Sequence, residues 1–369
     1  MKENRYIILF SIVTLVGISA YILFPNFQTQ EFDQDVVENI MDGVTTTVLD
    51  GEKESSNTEN NGENTTLEKP IINIPEIENL LNLNKTPDIN DNITAYLLIG
   101  SDKRDNEDAD NYVDGNRADV ILLGFFNETI NKNALISIPR DTLVNNSCTG
   151  EVERINASYK KNNCGNGAEN IVAAVNTLTG IKIQHIASFN FDGFETIIDS
   201  FDGIEICVDK TQREGFAFEL QEGCQKVNGS TALNWTRSRN TEVLIGQKII
   251  DENGNDNSEW KKMDNVSDLS RVERQQYLVI QLLGELENFS SFAELLQFIQ
   301  ALEETFVVDE GLSINKATNI LWNMRTIELD DITKLTIPTS PYELNDGRQV
   351  LILNGNFYDF AEENLLIDE

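Results

Sequence analysis

Histidine is nearly absent from this chain: His185 is the only one in 369 residues. A zinc centre or a Ser-His-Asp triad would have to be built through that single imidazole, so neither is favoured, and His185 is expected to be structural. Basic residues are also scarce, with 28 Lys and Arg against 62 Asp and Glu and a formal net charge of −34. Such a surface repels polyphosphate chains at long range, which removes nucleic acid as a partner. Only four cysteines are present, and none forms a C-x-x-C metal or redox motif. No internal repeat or heptad pattern is visible.

What remains is ordered along the chain. Residues 6 to 24, YIILFSIVTLVGISAYILF, form an uncharged apolar run. As a helix it would reach roughly 28 Å, enough to cross the bilayer once. Lys2 and Arg5 precede it and Glu31, Asp33 and Asp35 follow, so residues 1 to 5 are expected in the cytoplasm and the remainder outside. The competing reading is a signal peptide cut after Ala20, but the apolar run is long for that role and continues past the alanine. Residues 25 to 90 include GEKESSNTENNGENTTLEK, acidic and almost free of apolar side chains, and read as a flexible linker.

From about residue 94 the pattern changes. TAYLLIG, ADVILLGFF and NALISIP are strand-length apolar runs, followed by a helical AENIVAAVNTLTG with a glycine stop. GIEICVD, KLTIP and VLILN supply later strands, and residues 271 to 305 and 315 to 325 read as helices. The fold class is therefore α/β, an open sheet with helices on both faces. Three strands in succession require some antiparallel pairing. The cysteines fall as two similarly spaced pairs, Cys148 with Cys164 and Cys207 with Cys224. Four cysteines allow three pairings, of which the sequential one is favoured. Each such loop would contribute about 3 kcal/mol in the chain-entropy model.

The informative signal is arginine. The chain has twelve, and seven lie in short motifs: GSDKRD (Arg104), GNRAD (Arg117), SIPRD (Arg140), RSR (Arg237, Arg239) and RVERQ (Arg271, Arg274). The early motifs stand where predicted strands begin or end, which is where α/β sheets gather ligand-binding loops. One arginine beside an aspartate is usually a solvated ion pair; several such motifs together point to an anion. In an extended stretch Arg237 and Arg239 would share a side about 6 to 7 Å apart, fitting the two ends of a diphosphate, whereas in a helix they would diverge by roughly 200°. On a helix starting near residue 271, Arg271 and Gln275 are i,i+4 neighbours with Arg274 beside them. Asp102 and Asp119, at the ends of adjacent predicted strands, suit a hard cation such as Mg²⁺, which takes carboxylates together with substrate phosphates.

Six segments in order, YLLIGSDKR, RADVILL, ISIPRDTLV, RINASY, ALNWTRSRN and DLSRVERQQ, resemble the LytR-CpsA-Psr family of bacterial cell-wall glycopolymer ligases, over residues 94 to 285. The resemblance implies a three-layer α/β/α sandwich with a mixed sheet, occupying residues 91 to 369 outside the membrane. It implies Mg²⁺-dependent transfer of a glycopolymer from an undecaprenyl pyrophosphate donor to a peptidoglycan hydroxyl. By the same resemblance Asp102 and Asp119 hold the metal, and Asp102, Asp119, Arg117 and Arg140 form the catalytic set. Arg104, Arg117, Arg140, Arg237, Arg239, Arg271, Arg274 and Gln275 face the pyrophosphate, with Arg104 and Arg274 in supporting positions. Asp141 and Asp268 are expected to orient arginines. The resemblance also implies an apolar groove for the polyprenyl tail, with IVAAVNTLTGI and YLVIQLLGEL as walls or simply as core helices. Departures are Ala118 where the family has serine, Asp202-Gly203-Ile204 where it has a double-glycine turn, and an unusually long stretch from 240 to 267. That stretch reads as a surface insertion in preference to a lid or acceptor loop. A pyrophosphatase using the same clamp and a non-catalytic envelope binder or regulator are the competing readings.

Overall fold

The computed structural model describes residues 28–30, 33–38, 40, 93–101, 117–127, 133–146, 149–150, 152–263 and 268–364. The expected anchor at 6 to 24, together with Asp102, Arg104 and Cys148, lies outside these residues. Among the described residues no helix is long and apolar enough to cross a membrane.

A seven-stranded mixed sheet organises the molecule, with strands in the order β1-β14-β7-β2-β3-β4-β15. Its members are β1 (Gln28–Gln30), β2 (Ile93–Ser101), β3 (Ala118–Asn127), β4 (Asn133–Ser137), β7 (His185–Asn190), β14 (Phe306–Asp309) and β15 (Ile332–Thr336). The three early strands pair antiparallel, as their succession requires, whereas β2 with β7 and β4 with β15 run parallel. Within the stretch read as a linker, β1 adds an edge strand parallel to β14 and Val37 is fully buried. Val36, Val37 and Ile40 in that part pack against the core.

Successive strand side chains point to opposite faces, and both faces are covered. Leu97, Ile99, Ile121, Leu123 and Ile136 pack against Ile171, Val172 and Val175 of α1 (Gly167–Thr179) and Phe357 of α7 (Phe357–Asn364). Leu122 and Leu135 pack on the other face against Ile280 of α4 (Asp268–Gly284). Beside it, Val308 meets Leu295 and Ile299 of α5 (Phe292–Ala301), with α6 (Ile314–Met324) alongside. Each fully buried aliphatic side chain contributes about 1.5–3 kcal/mol, so these two layers hold the sandwich together. The helix read as continuous from 271 to 305 is two helices. A 3-10 turn follows Gly284, and Ser291 caps α5 by accepting from the Glu294 N–H.

Smaller elements surround the sheet. A hairpin, β8 (Ile204–Val208) with β11 (Gly223–Val227), places Cys207 opposite Cys224, and the two form a disulfide as the sequential pairing requires. Cys164 is also disulfide-bonded. Asp202 takes a left-handed conformation (φ 60°) next to Gly203 (φ 100°), so aspartate, which tolerates this region, replaces the glycine of the family turn. The long insertion is ordered through residue 263. Its strands β12 (Glu242–Ile245) and β13 (Glu259–Lys262) extend a sheet begun by β9 (Gln212–Glu214) and β10 (Phe218–Leu220), in the order β10-β9-β12-β13.

Candidate anion site

Strand direction brings the motifs together. The carboxyl ends of β2, β4, β7 and β15 and the amino end of β3 lie at one edge of the sheet, since Ser101 pairs with both Ala118 and Asn190. The β2–β3 register shifts at Gly100 and Ser101, and a Cβ at Gly100 would stand 2.9 Å from that of Val120. Only glycine permits that close crossing, which delivers Arg117 and Asp119 to the edge.

A narrow cleft there is lined by Asp119 from β3, Ile138 to Asp141 after β4, Arg271, Val272 and Gln275 from α4, and Leu351 from the carboxyl-terminal segment. Four of the residues expected from the motifs, Asp119, Arg140, Arg271 and Gln275, thus meet from three separate parts of the chain. Arg271 and Gln275 share one face of α4 and are buried. Arg140 donates from Nη1 to Asp119 Oδ1 at 2.5 Å, and its Nε stands 3.7 Å from Asp141 Oδ2. Asp141 thus stands within ion-pair distance of Arg140.

Arg117 is exposed at the start of β3. Arg237 and Arg239 are also exposed, but the extended geometry does not hold. Arg237 ends α3 (Gly229–Arg237), a helix capped by Asn228, and the chain leaves the helix only at Ser238. The two side chains are thus separated by a change of backbone direction, not aligned by strand alternation. The guanidinium of Arg237 rests 4.0 Å above the ring of Phe191, the residue that follows β7, so it reaches the same sheet edge.

Arg274 is placed differently from its neighbours. It is buried, donating from Nη1 to the Trp235 carbonyl at 2.8 Å and from Nη2 to Thr241 Oγ1 at 3.2 Å. Burial lowers its pKa from the ordinary guanidinium range, opposed by Glu214 and Glu273. Its donors tie α3 to α4, so it supports the site as scaffold instead of lining the cleft. Gln276 is likewise structural, bonding Ser137 Oγ and the Leu335 carbonyl.

His185 sits at the opposite edge of the sheet. Its Nδ1 is 3.1 Å from Asp309 Oδ2 and its Nε2 is 2.9 Å from Lys316 Nζ, the structural role expected for it. Of the segments considered as groove walls, the first is core, with Ile171, Val172 and Val175 fully buried, whereas in the second Leu278 and Ile280 are buried and Val279, Leu282 and Leu283 are half-buried. Sequence reasoning missed the role of Leu351, because nothing in VLILN marks it as a neighbour of SIPRD. The bridge between Thr142 and Leu351 brings it there.

Arginines and carboxylates gathered at one end of a mixed sheet covered by helices on both faces make this cleft a candidate anion site. The family model described as the LytR_cpsA_psr family matches residues 45–246. The chain belongs to the LytR-CpsA-Psr family. It is 31% identical over 166 residues to the probable cell wall biosynthesis protein LcpB of Corynebacterium glutamicum, a match covering 42% of this chain and 39% of that protein. It is 24% identical over 280 residues to the polyisoprenyl-teichoic acid–peptidoglycan teichoic acid transferase TagU of Bacillus subtilis, covering 74% of each. The crystal structure of B. subtilis TagV matches the fold with a TM-score of 0.57 at 19% identity, covering 74% of this chain and 96% of TagV.

Proposed function

We propose that the protein is a cell-wall glycopolymer transferase that moves a glycan from a polyprenyl pyrophosphate carrier to a peptidoglycan hydroxyl. The observation that carries this reading is the convergence of Asp119, Arg140, Arg271 and Gln275 on one cleft. The TagU relative, named as a teichoic acid transferase acting on peptidoglycan, supports the substrate class. Arg140 and Arg271 hold the diphosphate at the cleft, while Arg117 and Arg237 at the same edge supply positive charge to its outer oxygens, with the exposed Arg239 following Arg237 in the chain.

The donor set suits Mg²⁺: Asp119 offers a half-buried carboxylate at the cleft, and Asp102 stands one residue beyond the end of β2 in sequence. A bound Mg²⁺ would neutralise charge on the bridging phosphates. The chain's own residues align donor and acceptor: one of the two aspartates takes the proton of the peptidoglycan hydroxyl as it attacks the glycan-side phosphorus, the P–O–P linkage breaks, and polyprenyl phosphate leaves while the glycan stays joined through its phosphate. No histidine is needed. An extracytoplasmic domain tethered through residues 6 to 24 would place the cleft where both substrates occur.

The test incubates the full chain in detergent with a polyprenyl-diphosphate glycan, Mg²⁺ and peptidoglycan oligomers, followed by mass spectrometry. Glycan bound covalently to peptidoglycan is the expected product. Free sugar phosphate alone would make the protein a hydrolase, and recovery of unchanged donor would make it a binder.

A further inference from the structure

The segment RINASY carries no role in the reading above, yet it is wrapped around the turn that presents Arg140. The Ile155 N–H donates to the Thr142 carbonyl at 2.7 Å and the Asn156 N–H to the Arg140 carbonyl at 3.1 Å. Arg154 ends β6 (Val152–Arg154), which pairs with β5 (Leu143–Asn145). Its Nη1 stands 3.2 Å from Asp141 Oδ1, on the side of that carboxylate away from Arg140. Its Nε and Nη2 both donate to the Gln349 carbonyl, at 3.0 and 2.6 Å.

Four charges therefore alternate in a row: Arg154, Asp141, Arg140 and Asp119. The outer end is anchored on the hairpin of β16 (Thr339–Glu343) and β17 (Gln349–Leu353), which lies beyond the residues matched by the family model. The same hairpin touches the row again, because the Leu351 N–H donates to the Asp141 carbonyl at 2.9 Å and Leu351 lines the cleft.

We propose that Arg154 is a positioning residue that acts through Asp141 to hold Arg140 at the cleft, with the β16–β17 hairpin as its anchor. A carboxylate with a cation on each side has two opposed directions of pull and one preferred orientation. Without Arg154, Asp141 would turn fully toward Arg140 and draw its guanidinium away from Asp119 and the incoming anion. Arg154 is not itself an anion ligand, because its forked donors are closed on a backbone carbonyl.

This inference rests on the diphosphate reading of the cleft. The experiment measures affinity for inorganic pyrophosphate by calorimetry, and transfer kinetics, on the full chain with wild type, Arg154→Ala, Arg154→Lys, Arg140→Ala and the Arg140→Ala/Arg154→Ala pair. Arg154→Ala should weaken pyrophosphate binding about 10-fold, and in the Arg140→Ala background should add less than about twofold, since the two effects share one path. Arg154→Lys, which keeps the charge beside Asp141, should recover part of the loss. It also carries the comparison if the alanine variant melts early. Binding by Arg154→Ala within twofold of wild type, or a loss that multiplies fully with that of Arg140→Ala, would overturn the inference while leaving the diphosphate reading intact. Failure of the wild type to bind pyrophosphate or transfer glycan would sink that reading and this inference with it.

Discussion

Two arginine–aspartate clusters in this acidic protein use the same side chains toward opposite ends. Against the β12–β13 insertion, Arg213 of β9 lies 3.8 Å from the centroid of the Trp260 ring, bonds Glu242 Oε2 from Nε at 3.0 Å and meets Asp256 Oδ2 from Nη1 at 2.6 Å. Asp256 is bound again by the Trp260 indole N–H and the Ser258 N–H. One cation there faces two carboxylates and a ring, so the cluster is closed on itself and pins the insertion to β9. At the cleft the proportion differs: Arg140 and Arg271 match Asp119 and Asp141 in number, and the exposed Arg117 and Arg237 at the same strand ends add positive charge. Excess cation at a concave edge attracts an anion, whereas excess carboxylate around a single arginine does not. The contrast favours a structural insertion beside a functional cleft.

The largest effect that would test this contrast is at Asp119. Asp119→Ala should lower metal-dependent glycan transfer about 100-fold or more, because charge stabilisation is the main contribution the cleft makes. Unchanged turnover, followed by product mass spectrometry, would remove Asp119 from the chemistry. Next is Arg237→Ala, expected to weaken pyrophosphate binding about 10-fold through loss of one charge-assisted contact. Titration calorimetry giving wild-type affinity would confine Arg237 to its packing on Phe191.

At the insertion the expected effects are smaller and local. Arg213→Ala should loosen the β12–β13 hairpin by about 1 kcal/mol, seen as faster limited proteolysis between residues 246 and 258. Transfer activity should stay within twofold; a larger fall would make the insertion part of the site. The smallest effect is a pH response. Hydrogen bonds from Ser258 and Trp260, with the charge of Arg213, hold the Asp256 pKa at about 2, below its ordinary 3.8. A depressed carboxylate pKa means its stabilising contribution is complete above 3.8 and is lost as pH falls toward 2. The Trp260 indole proton resonance should therefore hold through the ordinary carboxylate range and shift only as pH approaches about 2, and Asp256→Asn should abolish that shift.

Several elements were readable before the fold. Strands TAYLLIG, ADVILLGFF and NALISIP were plain because apolar runs of that length have few alternatives, and their succession required the antiparallel pairing found in β2, β3 and β4. The break after Gly284 was hidden, since residues 271 to 305 keep a helical period across it, and the stop depends on Ser291 capping the next helix. RSR by itself leaves its two arginines open to an extended arrangement, where they align, or a helical one, where they diverge by roughly 200°. The Asn228 cap and the packing of Ala232, Leu233 and Trp235 against β8 and β10 instead carry the helix through Arg237. Arg271 and Arg274 look equivalent in RVERQ, but three residues around a helix is enough to turn one into the cleft and the other onto α3.

By itself the sequence determined the kinds of chemistry available: one histidine, seven arginines in short motifs and aspartates beside them, in a chain otherwise dominated by negative charge. It also determined the strand runs and the family, because these depend on local pattern. Which motifs share a surface was decided only by the tertiary structure. Strand direction and pairing order place segments more than 130 residues apart at one sheet edge, as with Asp119 and Arg271. The approach of Gln349 and Leu351 to the turn carrying Arg140 is a contact between distant backbones, and no local periodicity encodes it.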